Sequence, residues 1–268
     1  MHFCSLMAII TLTSDWGSGD HYAGAVKGAI LSQLPDVCLV DITHQIPPFD
    51  LFHASFVVRN SYRSFPPGTV HIIDVCADAS IETPHTVILA DGQYFIGADN
   101  GVFSLIFDKA PERIVEIDII QDSPYFTFSA RDVFAKVAVH IAKGNDLKEI
   151  GRDKSGLNKM NHFSPVVEKD TIKGKVIYID SYENVFINVT ESLFREVGKG
   201  RPFTISLRTA GDHIRKVSTA YSDVGEAELL AIFSSGGYLE IALNRSNASS
   251  LLGLKPDEMV RIEFHDKS

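Results

Sequence analysis

The chain has 268 residues, 45% hydrophobic and 22% charged, with a formal net charge of -9 at pH 7. That length holds one large domain or two modest ones, each with its own core. The acidity, with no basic run of five or more residues, argues against a nucleic-acid partner, and no apolar stretch is long enough to span a membrane.

In chain order, the start has neither a basic leader nor a small-residue cleavage site. Met7 directly precedes the first strand, so Met1 and Met7 are both candidate starts. Cys4, Cys38 and Cys76 are scattered with no CxxC, which suits a reducing compartment, and a cytoplasmic protein is expected. Strands are predicted at Ile9–Thr13, Val37–Ile42, Val70–Asp74, Thr86–Ala90, Tyr94–Gly97 and Ile114–Ile117. Helices are predicted at Tyr22–Leu34, where Ala25, Val26, Ala29, Ile30 and Leu34 recur at a helical period, at His53–Ser61, and from about Ala130 to Lys143. Ser129 and Asp132 resemble a capping pair for the last of these, and Gly144 suits its C-terminal stop. Such alternation implies an α/β layer structure with a mostly parallel sheet.

Residues 151–170 are polar and aperiodic, and a linker is expected there. Beyond them, short apolar runs (KVIYID, VFINV, PFTISL, ELLAIFS, YLEIAL and MVRIEF) are spaced by Gly, Asn, Asp and Ser. They predict a small antiparallel β-barrel or sandwich. The expected organisation is an α/β domain over 7–160 followed by a β domain over 170–268.

The stretch TSDWGSGD, between the first strand and the first helix, stands where many α/β proteins hold a phosphate, yet it carries two acids and no cation before Lys27. Asp15 ends a strand, where open α/β sheets place their ligands, and its carboxylate can accept both hydrogen bonds of a ribose diol. Asp20 can meet an ammonium group. As ordinary structure, both are turn or N-cap residues. Asp74 ends another strand on the same predicted edge. Ser129 and the amides of Ala130 and Arg131 stand at a helix N-terminus, a place for an anion or simply a cap. ADNG at residues 98–101 is a turn signal. Asn184 fits a hairpin turn with Glu183, whereas Asn188 inside a strand has no such explanation and is a candidate ligand contact. The ten histidines show no HxH or HExxH spacing, so no catalytic metal is expected, and His44, His71 and His85 read most simply as structural. No GxSxG elbow supports a serine hydrolase.

Eight segments in order (TSDWGSGDHYAGAVKG, VDITHQIPPFD, FPPGTVHIIDV, GADNGVFSL, TFSARDVFA, IDSYENVFINV, YSDVGEAELL and SGGYLEIALN) closely resemble the motifs of the S-adenosyl-L-methionine hydroxide adenosyltransferases. That family is related to the fluorinases and chlorinases, and the likeness covers roughly residues 8 to 265. It implies an N-terminal α/β domain, a C-terminal β-barrel and a homotrimer, with substrate held between the N-terminal domain of one subunit and the C-terminal domain of its neighbour. It implies attack by water or hydroxide on C5′ of S-adenosylmethionine, releasing adenosine and L-methionine, with no cofactor. By resemblance Asp15 matches the ribose ligand, Asp20 the partner of the methionine amino group, and Phe49 an aromatic beside the sugar. Tyr221 matches the aromatic that stacks on adenine, and Asn184 and Ser235 match methionine-contacting positions.

The family's water-activating Asp-Arg-His set is retained here only as Asp74. Ile81 stands at the Arg position and Ser129 at the His position, while Ala130 lacks the hydroxyl that a fluorinase carries there. Asp78, Glu82 and His85 are candidates to substitute, with His85 as a base. Asp74, Ser129 and His85 are therefore the candidate catalytic groups of a hydrolase. The other readings are a protein of this fold that binds S-adenosylmethionine or adenosine without turnover, and an enzyme using a different nucleophile or a related nucleoside substrate.

Overall fold

The computed structural model describes residues 7–119, 121, 124–161, 164–207 and 213–266. The chain divides into two compact units, Met1–Asn161 and His162–Ser268. The first contains β1 (Ile9–Ser14), α1 (Tyr22–Leu31), β2 (Cys38–Thr43), α2 (Leu51–Ser61), β3 (Val70–Asp74), β4 (His85–Ala90), β5 (Gln93–Ala98), α3 (Val102–Ile106), β6 (Arg113–Ile117), α4 (Ala135–Ala142) and β7 (Gly151–Asp153). Its sheet has seven strands in the order β2-β1-β3-β5-β4-β6-β7. The ladders from β2 to β5 are parallel and only β4 and β7 run against the rest, so the sheet is mostly parallel, as the alternation predicts.

Both faces of this sheet are covered, which is why its strands read as near-continuous apolar runs. One core joins Ile10, Leu12 and Ile72 to Val26 and Ile30 of α1 and to Val137 and Ala138 of α4. The other joins Ile73, Ile88 and Phe95 to Ala54 and Val58 of α2 and to Phe103 of α3. Polar residues inside the sheet are paired. Thr11 Oγ1 lies 2.7 Å from His71 Nδ1, and His71 Nε2 lies 2.7 Å from Gln93 Oε1, so a neutral imidazole bridges β1, β3 and β5. Burial pushes the His71 pKa down to about 4.

Three local expectations need correction. The predicted linker is shorter than 151–170, since its first residues form β7 on the edge of the sheet and residues 154 and 158 are tied to the first unit. Lys154 Nζ reaches Asp99 Oδ2 at 2.6 Å, and the Asn158 amide donates to the same carboxylate, which is fully buried. Ser129 and Asp132 do not form a capping pair. Ser129 is already in the right-handed helical conformation and its side chain makes no cap bond, while Asp132 is engaged by the Arg131 guanidinium at 2.6 and 2.8 Å. Capping needs an extended backbone at the cap residue, and here the chain turns helical before it. The turn that follows, Ala130–Phe134, is π-helical and leads directly into α4, and Gly144, at φ 79°, follows the helix as predicted.

The second unit contains β8 (Val166–Glu168), β9 (Thr171–Ile179), β10 (Val185–Thr190), α5 (Glu191–Gly198), β11 (Phe203–Ser206), β12 (His213–Ile214), β13 (Val217–Ser218), β14 (Leu229–Phe233), β15 (Tyr238–Leu243), α6 (Ala248–Leu252) and β16 (Met259–Phe264). Its nine-stranded sheet runs β12-β11-β16-β9-β10-β15-β14-β13, with β8 beside β9, and every ladder except β13–β14 is antiparallel. The edge strand β12 contacts β14, so the sheet nearly closes into the expected barrel around Ile172, Ile187, Ile241 and Ile262. Asn188 has a structural use. The β10 register is irregular on both sides, and Asn188 Oδ1 accepts the Lys175 amide at 2.7 Å beside this irregularity.

Candidate functional site

The carboxyl ends of β1, β2 and β3 form one edge of the first unit, and the register pairs Ser14 directly with Asp74. Asp15, Trp16, His44 and Asp74 are thus brought to the same rim by strand order alone. Backbone and side-chain bonds fasten the loops after β1 and β2 together. The Gly17 amide donates to the His44 carbonyl at 2.7 Å, and Ser14 Oγ lies 2.7 Å from His44 Nδ1. The Phe49 amide donates to Asp15 Oδ2 at 2.9 Å. Asp15 is half-buried, and its other oxygen accepts no bond among the described residues. Asp20 is exposed, two residues before α1.

Strain collects at this rim. Phe49 has φ 66° and Cys76 has φ 48°, left-handed values that a β-carbon makes costly, of order 1–3 kcal/mol each. The two residues meet, with Cys76 Sγ 3.6 Å from the Phe49 carbonyl oxygen. Phe49 is 74% exposed, an aromatic ring held in water beside Asp15. The loop after β3 is pinned by Asn100, whose Nδ2 donates to the carbonyls of Val75 and Cys76 at 3.0 and 2.9 Å. The turn motif at residues 99–101 therefore serves the site, a role its turn signal alone does not reveal.

Asp74 is half-buried and receives the indole N–H of Trp16, Nε1 to Oδ2, at 2.7 Å. Loss of hydration raises its pKa to about 7, the indole bond opposes that rise, and the charges of Asp15 and Asp78 add to it. A carboxyl that titrates near neutrality can exchange a proton at physiological pH.

The remaining candidates are placed less directly. His85 begins β4, with Nε2 2.9 Å from the Ala77 carbonyl oxygen and its ring edge-on to Phe134 at 4.7 Å. Burial lowers its pKa, so the ring is neutral near pH 7, with Nε2 donating to Ala77. Ser129 is half-buried before the π-helical turn. Of the two amides predicted there, that of Arg131 is already donated to the Phe128 carbonyl at 3.2 Å. Ile81 is fully exposed, so nothing at the missing Arg position reaches Asp74. Glu82 is exposed in the Ser80–Thr83 turn, where its amide bonds Ser80 Oγ.

In the second unit Asn184 is buried in the β9–β10 turn, with its Nδ2 on Asp180 Oδ2 at 3.1 Å and its amide on Asp180 Oδ1 at 2.8 Å. The predicted turn is present, and Glu183 takes φ 62° in it. Tyr221, 44% exposed, donates its hydroxyl to Glu240 Oε1 at 2.7 Å. Glu240 is buried in mid-strand, and burial raises the pKa of both groups, with the Asp180 charge adding to each shift. Asp180, Asn184, Tyr221 and Glu240 thus form one polar group. Ser235 is exposed in the β14–β15 turn. The β10–β15 ladder pairs Val185 with Ile241 at one end and Thr190 with Tyr238 at the other. Asn184 and Ser235 therefore flank opposite ends, on the order of 15 Å apart at the usual rise per residue. A cavity of about 690 Å³ in this unit is lined by Phe194, Phe203, Phe233 and Phe264 and by none of the predicted site residues.

A mostly parallel α/β unit with paired acids at its strand ends, followed by a small barrel, defines the architecture. The family model for the N-terminal domain of the SAM hydroxide adenosyltransferases matches residues 10–151, and that for the C-terminal domain matches residues 174–261. The chain belongs to this family. It is 33% identical over 260 residues to an (R)-S-adenosyl-L-methionine hydrolase of Methanocaldococcus jannaschii, covering 93% of each chain. A hydrolase of the same name from Salinispora tropica is 29% identical, covering 94% of this chain and 97% of that one. A fluorinase of Nocardia brasiliensis is 26% identical, covering 95% and 96%. Among solved structures, an uncharacterized conserved protein of Thermotoga maritima superposes with a TM-score of 0.85 at 31% identity, covering 95% of this chain and 99% of that one.

Proposed function

We propose that this protein hydrolyses S-adenosyl-L-methionine to adenosine and L-methionine. The observation that carries this reading is the juxtaposition of Asp15 and Asp74 on adjacent strand ends, one fastened with an open oxygen and the other titrating near pH 7. Asp15 accepts the ribose diol through that oxygen, Phe49 covers the sugar, and Asp20 meets the methionine ammonium. Tyr221 stacks on adenine, worth about 1–3 kcal/mol. Asn184 belongs with Tyr221 through Asp180, and Ser235 stands at the methionine end.

In the reaction the oxygen of water bonds to C5′ while the C5′–S bond breaks and its electron pair returns to sulfur as the neutral thioether. The water proton passes to the Asp74 carboxylate and then to solvent. The sulfonium is already a good leaving group, so alignment and partial desolvation of water supply the catalysis. Ser129 and the neutral His85 are proposed to order that water. The names and identities of the curated hydrolases support the reading.

The decisive experiment is long incubation of the purified chain with S-adenosylmethionine, chromatography for adenosine and methionine in equal amounts, and Asp15→Ala alongside. Product lost in the mutant is the expected result. A specific observation favours a second reading, a binding protein without turnover. The Arg position is an exposed Ile81 and the His position is Ser129. Calorimetric binding with no product at any protein concentration would establish it.

The proposal includes a homotrimer and a cytoplasmic location. The exposed rings of Phe49 and Tyr182 and the free thiols of Cys38 and Cys76 support these respectively. A monomer in sedimentation that still turns over substrate would remove the trimer.

A further inference from the structure

Asp74 lacks the Arg and His partners that the resemblance leads one to expect, yet it is not left alone. Its partner is Trp16, the single tryptophan of the chain, 58 residues away in sequence. That indole is fixed on several sides. Its ring stacks on His44 with centroids 5.4 Å apart and planes 11° apart, Phe128 meets it edge-on at 6.0 Å, and Tyr22 lies 6.4 Å away. His44 is in turn held by Ser14 at Nδ1 and lies 3.1 Å from Asp41 at Nε2, and Asp41 is paired with Lys27 of α1. Ser14, by holding His44 at Nδ1, thus steadies the stack on a ring whose only polar atom is aimed at Asp74.

We infer that Trp16 is a positioning residue for Asp74: its indole N–H, clamped by the His44 stack, orients the carboxylate and stabilises its ionised form where the family's Arg and His are absent. The inference rests on the hydrolase reading only where turnover is measured, because the contact itself is observable without substrate. A hydrogen bond to a charged acceptor is stronger than a neutral one, and an indole donates without bringing a charge that would repel a sulfonium. The charged or titratable groups around Asp74 are Asp15 from the loop after β1 and Asp78 and Cys76 from its own loop. Those around the indole are His44, backed by Asp41 and Lys27, and Tyr22 with its neighbour His21.

The test uses the indole as its own reporter. Tryptophan emission of the native chain, followed from pH 5 to pH 9, is expected to show a transition that survives in His44→Gln and disappears in Asp74→Asn. A transition that persists in Asp74→Asn, or no transition in the native chain, overturns the inference. This readout decides the matter even if Trp16→Phe does not fold. Where turnover is present, Trp16→Phe keeps an aromatic ring but loses the donor. The pH midpoint of kcat is then expected to move up by about one unit, so that turnover at pH 6 falls by up to about tenfold. KM is expected to stay within about twofold. An unmoved midpoint overturns the inference. If the native chain makes no adenosine while its emission still titrates with Asp74, the hydrolase reading fails and the assignment of Trp16 stands.

Discussion

At Asp74 function and stability pull in opposite directions. The raised pKa means that the folded chain holds this proton up to about pH 7, whereas the unfolded chain releases it near the ordinary aspartate value of 3.8. Between those values the folded state binds more protons, so stability falls as pH rises from about 4 to about 7 and stays reduced above that. Asp74→Asn, which never ionises, is therefore expected to melt higher than the native chain at pH 8, by something on the order of 2 kcal/mol. The gain should vanish near pH 4, and thermal melts at the two pH values check it. The same substitution is expected to abolish turnover while leaving ligand binding measurable by calorimetry. Phe49 shows the same tension in its backbone, since its left-handed φ is a cost tolerated where an aromatic must be presented to a ligand. Phe49→Gly is expected to leave stability within about 1 kcal/mol by relieving that strain, and to weaken ligand binding at least tenfold. Melting and calorimetry on one sample separate the two effects.

Elements differ in how openly their residues announce them. The strands of the first unit were legible because both sheet faces are covered, and runs such as Val70–Asp74 are apolar throughout. α5 was not foreseen, although Thr190 caps it by accepting the Leu193 amide at 3.3 Å and Glu191 follows in the first turn. Those two residues carried the signal, but the surrounding strand spacing overrode it. α3 is a single turn begun by Gly101 at φ 101°, too short to show any period. Loop fastening is harder still to read, because Asn100 acts on carbonyls 24 and 25 residues away. Asn100→Ala leaves those two carbonyls without their donor and is expected to cost about 1–2 kcal/mol in a thermal melt. The rate should fall by a larger factor than that destabilisation suggests, since the same loop carries Asp74. Within the sheet, the Thr11–His71–Gln93 bridge ties β1, β3 and β5 through a neutral ring. Its lowered pKa sets the opposite pH trend to Asp74. The stabilisation is complete above about pH 6.5 and is lost as pH falls toward 4, where the buried ring must charge. In the Asp74→Asn background, where the opposing trend is removed, melts across that window are expected to lose on the order of 3 kcal/mol, and adding His71→Gln to flatten the loss.

For the molecule as a whole, the eight ordered motifs made the family legible before any coordinates, and the two kinds of sheet follow from how their residues alternate. What stayed hidden was every contact that joins distant loops: Trp16 to Asp74, Ser14 to His44, and Asp99 to Lys154. Spacing reports residues on one strand or helix face, while these pairs exist only after the strands have taken their order. The placement of Asn184 and Ser235 at opposite ends of one ladder likewise needs a register, which no linear motif states.

Ile81 has a consequence for the history of the chain. A side chain fully exposed on a surface turn adds almost nothing to the fold, and exchanges at such positions usually change stability by less than about 0.5 kcal/mol. An arginine could therefore be lost there, or regained, without any repair elsewhere. The indole of Trp16 is different, because it packs against His44, Tyr22 and Phe128, and an exchange there is felt by all three. Exchange at the first position is cheap in either direction, whereas exchange at the second disturbs three packed neighbours. A lineage that settles its aspartate on a packed indole has little pressure to recover the arginine, even though the way back stays open.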